Sequence, residues 1–132
     1  MVNERNDETA LPIKDEEAEH PIPLVWRPTF RAIVHAFTKG DYQLACGVAG
    51  VDPVSAEQAE QIQDYLVDYG ATLVELPDDT WDTSVAQWYD PYWDFLVDLW
   101  TEEEGGSDLV LSGRVVETAD GYRFTLSLVY VP

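Results

Sequence analysis

The chain has 132 residues, 45% of them hydrophobic with five Trp, seven Tyr and four Phe, and it sets 26 Asp and Glu against seven Lys and Arg for a net charge of −19. That is one domain's worth of chain, able to bury roughly two thirds of its unfolded surface, and rich enough in apolar side chains to exclude global disorder. Such a charge repels nucleic acid and anionic membranes and attracts basic proteins, and no apolar run reaches the roughly 18 residues of a membrane span.

The N-terminus leads into acidic residues rather than an apolar stretch, so no secretory signal is expected. Residues 1–20 hold seven acids and two bases without hydrophobic periodicity, and are expected to form a mobile acidic tail ahead of a single domain over 21–132. The only cysteine, Cys46, cannot form an internal disulfide, which suits a cytoplasmic location.

His20-Pro21-Ile22-Pro23 is expected to be extended, because each proline disfavours helix in the residue before it. Leu24, Val25 and Trp26 form an entry segment, and Pro28 suits the first turn of a helix. Phe30, Ile33, Val34 and Phe37 follow at i, i+3, i+4 and i+7, an amphipathic helix that ends at Lys39-Gly40. Arg27, Arg31 and His35 fall on or near its polar side. A second helix begins at Ser55-Ala56-Glu57-Gln58, which has the form of a capping box. Its stripe is Ala59, Ile62, Leu66 and Tyr69, and Gly70 closes it.

The period then changes to two. Thr72–Leu76 and Trp81–Tyr89 are predicted strands, the first stopped by Pro77-Asp78-Asp79 and the second by Asp90-Pro91. In Tyr92–Thr101, Trp93, Phe95, Val97 and Leu99 share one face, while Asp94, Leu96, Asp98 and Trp100 share the other. The clearest signal is C-terminal. Leu109, Leu111, Gly113 and Val115 alternate on one strand and Tyr122, Phe124, Leu126, Leu128 and Tyr130 on the next, with Asp120-Gly121 as the hairpin turn. Helices first and antiparallel strands afterwards predict an α+β two-layer sandwich, with two main helices followed by an antiparallel sheet of four to five strands.

One sheet face should pack the helices and leave the other at least partly open. In that register the open face presents Asp94, Asp98 and Trp100 beside Ser112, Arg114, Arg123 and Thr125, with Val110, Val116 and Val129 between. Asp94, Asp98, Trp100, Arg114 and Arg123 are therefore the candidate partner-binding residues, since acid, aromatic and apolar groups together are a protein-binding composition. Catalytic constellations are poor. His20 and His35 leave few general bases, no Cys-x-x-Cys or His-x-x-x-His pair is present, and neither Asp78/Asp79/Asp82 nor Asp90/Asp94/Asp98 has the glycine and spacing of a calcium loop. The chain is expected to be no enzyme and to hold no metal or cofactor.

The runs His20-Pro-Ile-Pro, Trp26-Arg-Pro-Thr, Thr72-Leu-Val-Glu-Leu-Pro, Trp81-Asp-Thr-Ser, Leu99-Trp-Thr, Ser107-Asp-Leu-Val-Leu and Val129-Tyr-Val-Pro resemble an uncharacterised family of small bacterial α+β proteins, over about residues 20–132. The resemblance implies the same fold and transfers no functional residue. By analogy with small acidic immunity proteins, the expected function is the masking of a basic surface on a partner such as a nuclease toxin, with no nucleic acid or membrane bound directly. Two alternatives are an acidic, salt-adapted structural or housekeeping domain, and a small-molecule-binding domain with weak enzymatic activity.

Overall fold

A computed structural model describes residues 8–132. In chain order it contains β1 (His20–Pro21), a 3₁₀ turn (Leu24–Trp26), α1 (Arg27–Thr38), α2 (Ala56–Tyr69), a second 3₁₀ turn (Asp78–Asp82), β2 (Val85–Trp88), β3 (Tyr92–Thr101), β4 (Gly105–Thr118) and β5 (Gly121–Tyr130). All strand pairings are antiparallel, and the strands lie in sequence order across one five-stranded sheet. This is the expected α+β layering of two helices and an open antiparallel sheet, except that the short β1 precedes the helices.

The helices form where their punctuation places them. Pro28 occupies the first turn of α1, and Phe30, Ile33, Val34 and Phe37 are all buried. Burying each such side chain contributes about 1.5–3 kcal/mol. Ser55 caps α2 by accepting the Gln58 backbone N–H at 3.1 Å, and Gly70 ends it in the left-handed conformation at φ 80°. Only half of the capping box closes. Instead of returning to the cap, the Gln58 amide donates to the carbonyls of Leu126 and Ser127, while Gln61 donates to that of Val129 at 3.2 Å. Both glutamines thus tie α2 to β5.

The inner sheet face carries Trp93, Phe95, Val97 and Leu99 of β3 and Leu109, Leu111 and Val115 of β4, all buried against the helices. Trp26 stands at the centre of an aromatic group, edge-on to Trp93, Tyr122 and Phe124 at 5.3–5.8 Å between ring centres. Gly113 lies where two layers meet: a Cβ there would press on the Thr125 carbonyl and sit 2.6 Å from Phe95 Cζ.

Three expectations about the strands are corrected. Thr72–Leu76 is no full strand. It makes one bridge, Leu73 to Thr101, and hydrogen bonds from Val74 N to Trp100 O and from Glu102 N to Thr72 O. Trp81 lies in the second 3₁₀ turn, 3% exposed, and the strand begins only at Val85. Phe124 and Leu126 face inward as expected, but the alternation then breaks. Gly113 pairs with Leu126 and Leu111 with Val129, so Ser127 and Leu128 together oppose Ser112 in a bulge. Val129 is fully buried and Leu128 is 47% exposed, the reverse of the strict period-two reading.

The acidic segment expected as a mobile tail lies partly outside the described residues. From residue 8 onward it runs against the domain. Glu8 pairs with Arg27 at 2.8 Å, the backbone N–H groups of Leu24 and Val25 donate to the carbonyls of Thr9 and Ala10, and the Trp93 indole N–H donates to the Ile13 carbonyl at 3.0 Å. Arg27, expected on the polar side of α1, is 6% exposed because this segment and Trp81 enclose it.

Candidate partner-binding face

The outer face of the sheet has an alternating origin. On β3 the residues between the core positions, Tyr92, Asp94, Leu96, Asp98 and Trp100, are all partly exposed. Opposite them β4 presents Ser112, Arg114 and Val116, the last 37% exposed. The bulge in β5 then brings Leu128 and Tyr130 toward this side, which the sequence alternation had assigned to the core. Asp94, Leu96, Ser112, Arg114, Ser127 and Tyr130 surround a shallow concavity of about 230 Å³ on this face, with Phe95 and Gly113 at its floor.

Of the five candidate residues, two meet directly. Asp94 and Arg114 are cross-strand partners, and Arg114 Nε donates to the Asp94 carboxylate at 3.2 Å. The same guanidinium stacks on Tyr92, its Cζ 3.9 Å from the ring centre. Stacking and pairing together hold Arg114 flat on the sheet. Both side chains are about half exposed, so the ion pair itself contributes little to stability.

Asp98 is anchored differently. Its backbone N–H donates to Ser84 Oγ at 2.9 Å, its carbonyl accepts from Thr80 Oγ1 at 2.6 Å, and its carboxylate accepts from the Thr83 hydroxyl. The hydroxyls of Thr80, Thr83 and Ser84 thereby continue the β2–β3 contact past Val85. Trp100 lies across the glycine pair at the start of β4. Its six-membered ring would be 3.5–3.7 Å from a Cβ at Gly106, so the indole rests on bare backbone and is partly exposed. Arg123 does not join this group. It turns to the outer edge of β5 and pairs with Asp52 at 2.6 Å, and Thr125 donates to the other oxygen of the same carboxylate.

Asp52 was not singled out in the sequence. The signal was unreadable locally, because the loop Gly50–Asp52 reaches β5 only through the fold. Phe124 N donates to Gly50 O and Asp52 N to Phe124 O, a short parallel continuation of the sheet. Val129, expected on the open face, is in the core. Tyr92, Leu96 and Tyr130 are the additional aromatic and apolar groups of the face, and the first two have the same parity as Asp94.

A different acidic surface stands on α2, where Glu57, Glu60, Asp64 and Asp68 are exposed along one side. No group of three or more His, Cys, Asp or Glu able to hold a metal ion occurs among the described residues, and no helix there is long and apolar enough to cross a membrane. No curated protein and no solved structure matches the chain. A family model does match, over residues 34–132, leaving out the N-terminal segment and the first half of α1. The chain therefore belongs to the family described as a domain of unknown function, DUF7668.

Proposed function

We propose that this chain is a non-catalytic acidic binding protein of immunity type that covers a basic surface of a partner such as a nuclease toxin. The observation that supports this most is the uncovered sheet face, on which Leu96, Trp100, Val116, Leu128 and Tyr130 stand among Asp94, Asp98 and Arg114. Apolar and aromatic groups ringed by charge match the anatomy of a specific interface, and a net charge of −19 steers cationic partners toward it. The mechanism is occlusion. Carboxylates accelerate encounter, and Trp100 and its neighbours set the lifetime of the complex.

The test begins with capture from native cell extract at low and high salt, identification of the retained proteins and reconstitution with the purified partner. Asp94→Asn combined with Asp98→Asn should slow association and flatten its salt dependence, while Trp100→Ala should mainly speed dissociation. A purified partner that binds all these variants as it binds wild type would remove this face as the site.

The α2 surface favours a second reading, an acidic domain whose charge serves solvation in saline surroundings. Asp94 and Asp98 are engaged by Arg114 and Thr83, whereas Glu57, Glu60, Asp64 and Asp68 have no partner among the described residues. Folding that requires molar salt, with no basic partner retained, would favour it.

A further inference from the structure

Arg27 and Arg31 lie one turn apart on α1, and both guanidinium groups rest against the same indole. Their Cζ atoms are 5.3 and 5.4 Å from the Trp81 ring centre. With Leu24, Pro28 and Asp78 these residues line a cleft of about 340 Å³ between α1 and the 3₁₀ turn Asp78–Asp82.

Its donors are incompletely used. Arg27 spends Nε on the Ile22 carbonyl at 3.0 Å and Nη1 on Glu8 at 2.8 Å, and its buried Nη2 has no acceptor among the described residues. The indole N–H of Trp81, a residue only 3% exposed, has none either. Buried N–H groups without acceptors carry an uncompensated desolvation cost, most of all on a charged group. Arg31 adds a second cation, and its ion-pair partner among the described residues is Asp78, whose side chain is 90% exposed. A pair that exposed is weak, so Asp78 can be displaced at little cost. Apart from the Asp78 carboxylate, the unpaired polar groups of the cleft are donors, one of them on a guanidinium, beside an aromatic wall.

We propose that this cleft binds a small oxyanion, a carboxylate or a phosphate group, held by Arg27 and Arg31 against Trp81. Guanidinium groups match both anions in charge and in two-oxygen geometry. The entering anion takes the place of the Asp78 carboxylate on Arg31, so Asp78 acts as a built-in competitor. None of the six lining residues belongs to the sheet, so the site stands apart from the proposed partner-binding face.

The experiment is a titration of the full chain with sodium phosphate and, separately, sodium acetate, each against sodium chloride at equal ionic strength. The readout is the Trp81 indole N–H resonance, assigned by its loss in Trp81→Phe. A saturable shift with phosphate or acetate and not with chloride is expected, and the tighter of the two identifies the anion class. Arg31→Gln should weaken binding by roughly tenfold, the loss of one charge-assisted contact. Asp78→Asn should strengthen it. Both positions are partly or fully open to solvent, and an unaltered spectrum elsewhere verifies their fold. A Trp81 resonance that stays fixed, or that follows chloride equally, overturns the proposal. So does a shift of unchanged midpoint in Arg31→Gln.

Discussion

Ser112 and Leu128 exchange a pair of hydrogen bonds across β4 and β5: the serine hydroxyl donates to the Leu128 carbonyl and accepts its N–H, both at 3.1 Å. A side chain thus replaces the backbone ladder where two residues oppose one. From the helix side, Gln58 and Gln61 take up the carbonyls of Leu126, Ser127 and Val129. The irregular stretch of β5 is therefore satisfied from both faces of the sheet, and its consequence is that Val129 enters the core while Leu128 leaves it.

Unfolding in urea should expose that inversion. Val129→Ala is expected to cost roughly 1.5–3 kcal/mol, the value of a fully buried valine, while Leu128→Ala costs far less. Ser112→Ala should cost about 1 kcal/mol through the two lost hydrogen bonds. A larger loss at Leu128 than at Val129 would mean that the strand keeps strict alternation.

The glycines of β4 are not equivalent. A methyl group at Gly113 would strike the Thr125 carbonyl and the Phe95 ring, whereas one at Gly106 would rest on Trp100 in ordinary contact. Gly113→Ala should destabilise by about 1–3 kcal/mol or more, as overpacked cores do. Gly106→Ala should be close to neutral, and thermal melts of the two variants decide between these outcomes.

The N-terminal segment should contribute to stability from residue 8 onward. Deleting residues 1–19 removes the Glu8 partner of the buried Arg27 and the Ile13 carbonyl that accepts the Trp93 indole N–H. Leaving those buried donors unpaired should cost about 2–4 kcal/mol, a fall in melting midpoint of roughly 5–15 °C. An unchanged midpoint would show that the segment is dispensable and that the domain starts near His20.

Acid should act through two opposed effects. The backbone N–H groups of Ala45 and Cys46 donate to Asp41 and hold its carboxyl below the ordinary 3.8, and the hydrogen bond from His20 lowers Asp15 in the same sense. Glu103 is lowered chiefly by the Thr72 backbone N–H. A depressed folded-state value means stability that is fully present above the unfolded value and is lost as pH falls through the folded one. Relief of self-repulsion on protonating surface carboxylates works the other way. The melting midpoint should therefore rise slightly from about pH 7 to about pH 5 and drop below about pH 4. Asp41→Ala should melt lower than wild type at neutral pH, with the gap closing in acid. A gap constant with pH would detach Asp41 ionisation from stability.

Local pattern alone determined the two helices, β3 and the C-terminal hairpin. Their apolar spacing, the serine cap at Ser55 and the stop at Gly70 act within a few residues, so the chain dictates them without reference to its neighbours. The same parity placed Asp94, Asp98 and Trp100 on one side of β3. The bulge was not legible, because Leu126, Leu128, Val129 and Tyr130 are all apolar enough for either face, and only pairing with Ser112 and packing under Gln58 and Gln61 select one. Nor could Arg27, Arg31 and Trp81 be joined in one cleft, since the turn holding Trp81 lies some fifty residues from α1 in sequence. Arg123 turned to Asp52 for the same reason: ion pairs form between whichever charges the fold brings within reach, and a side chain's own sequence neighbours carry no record of that distance.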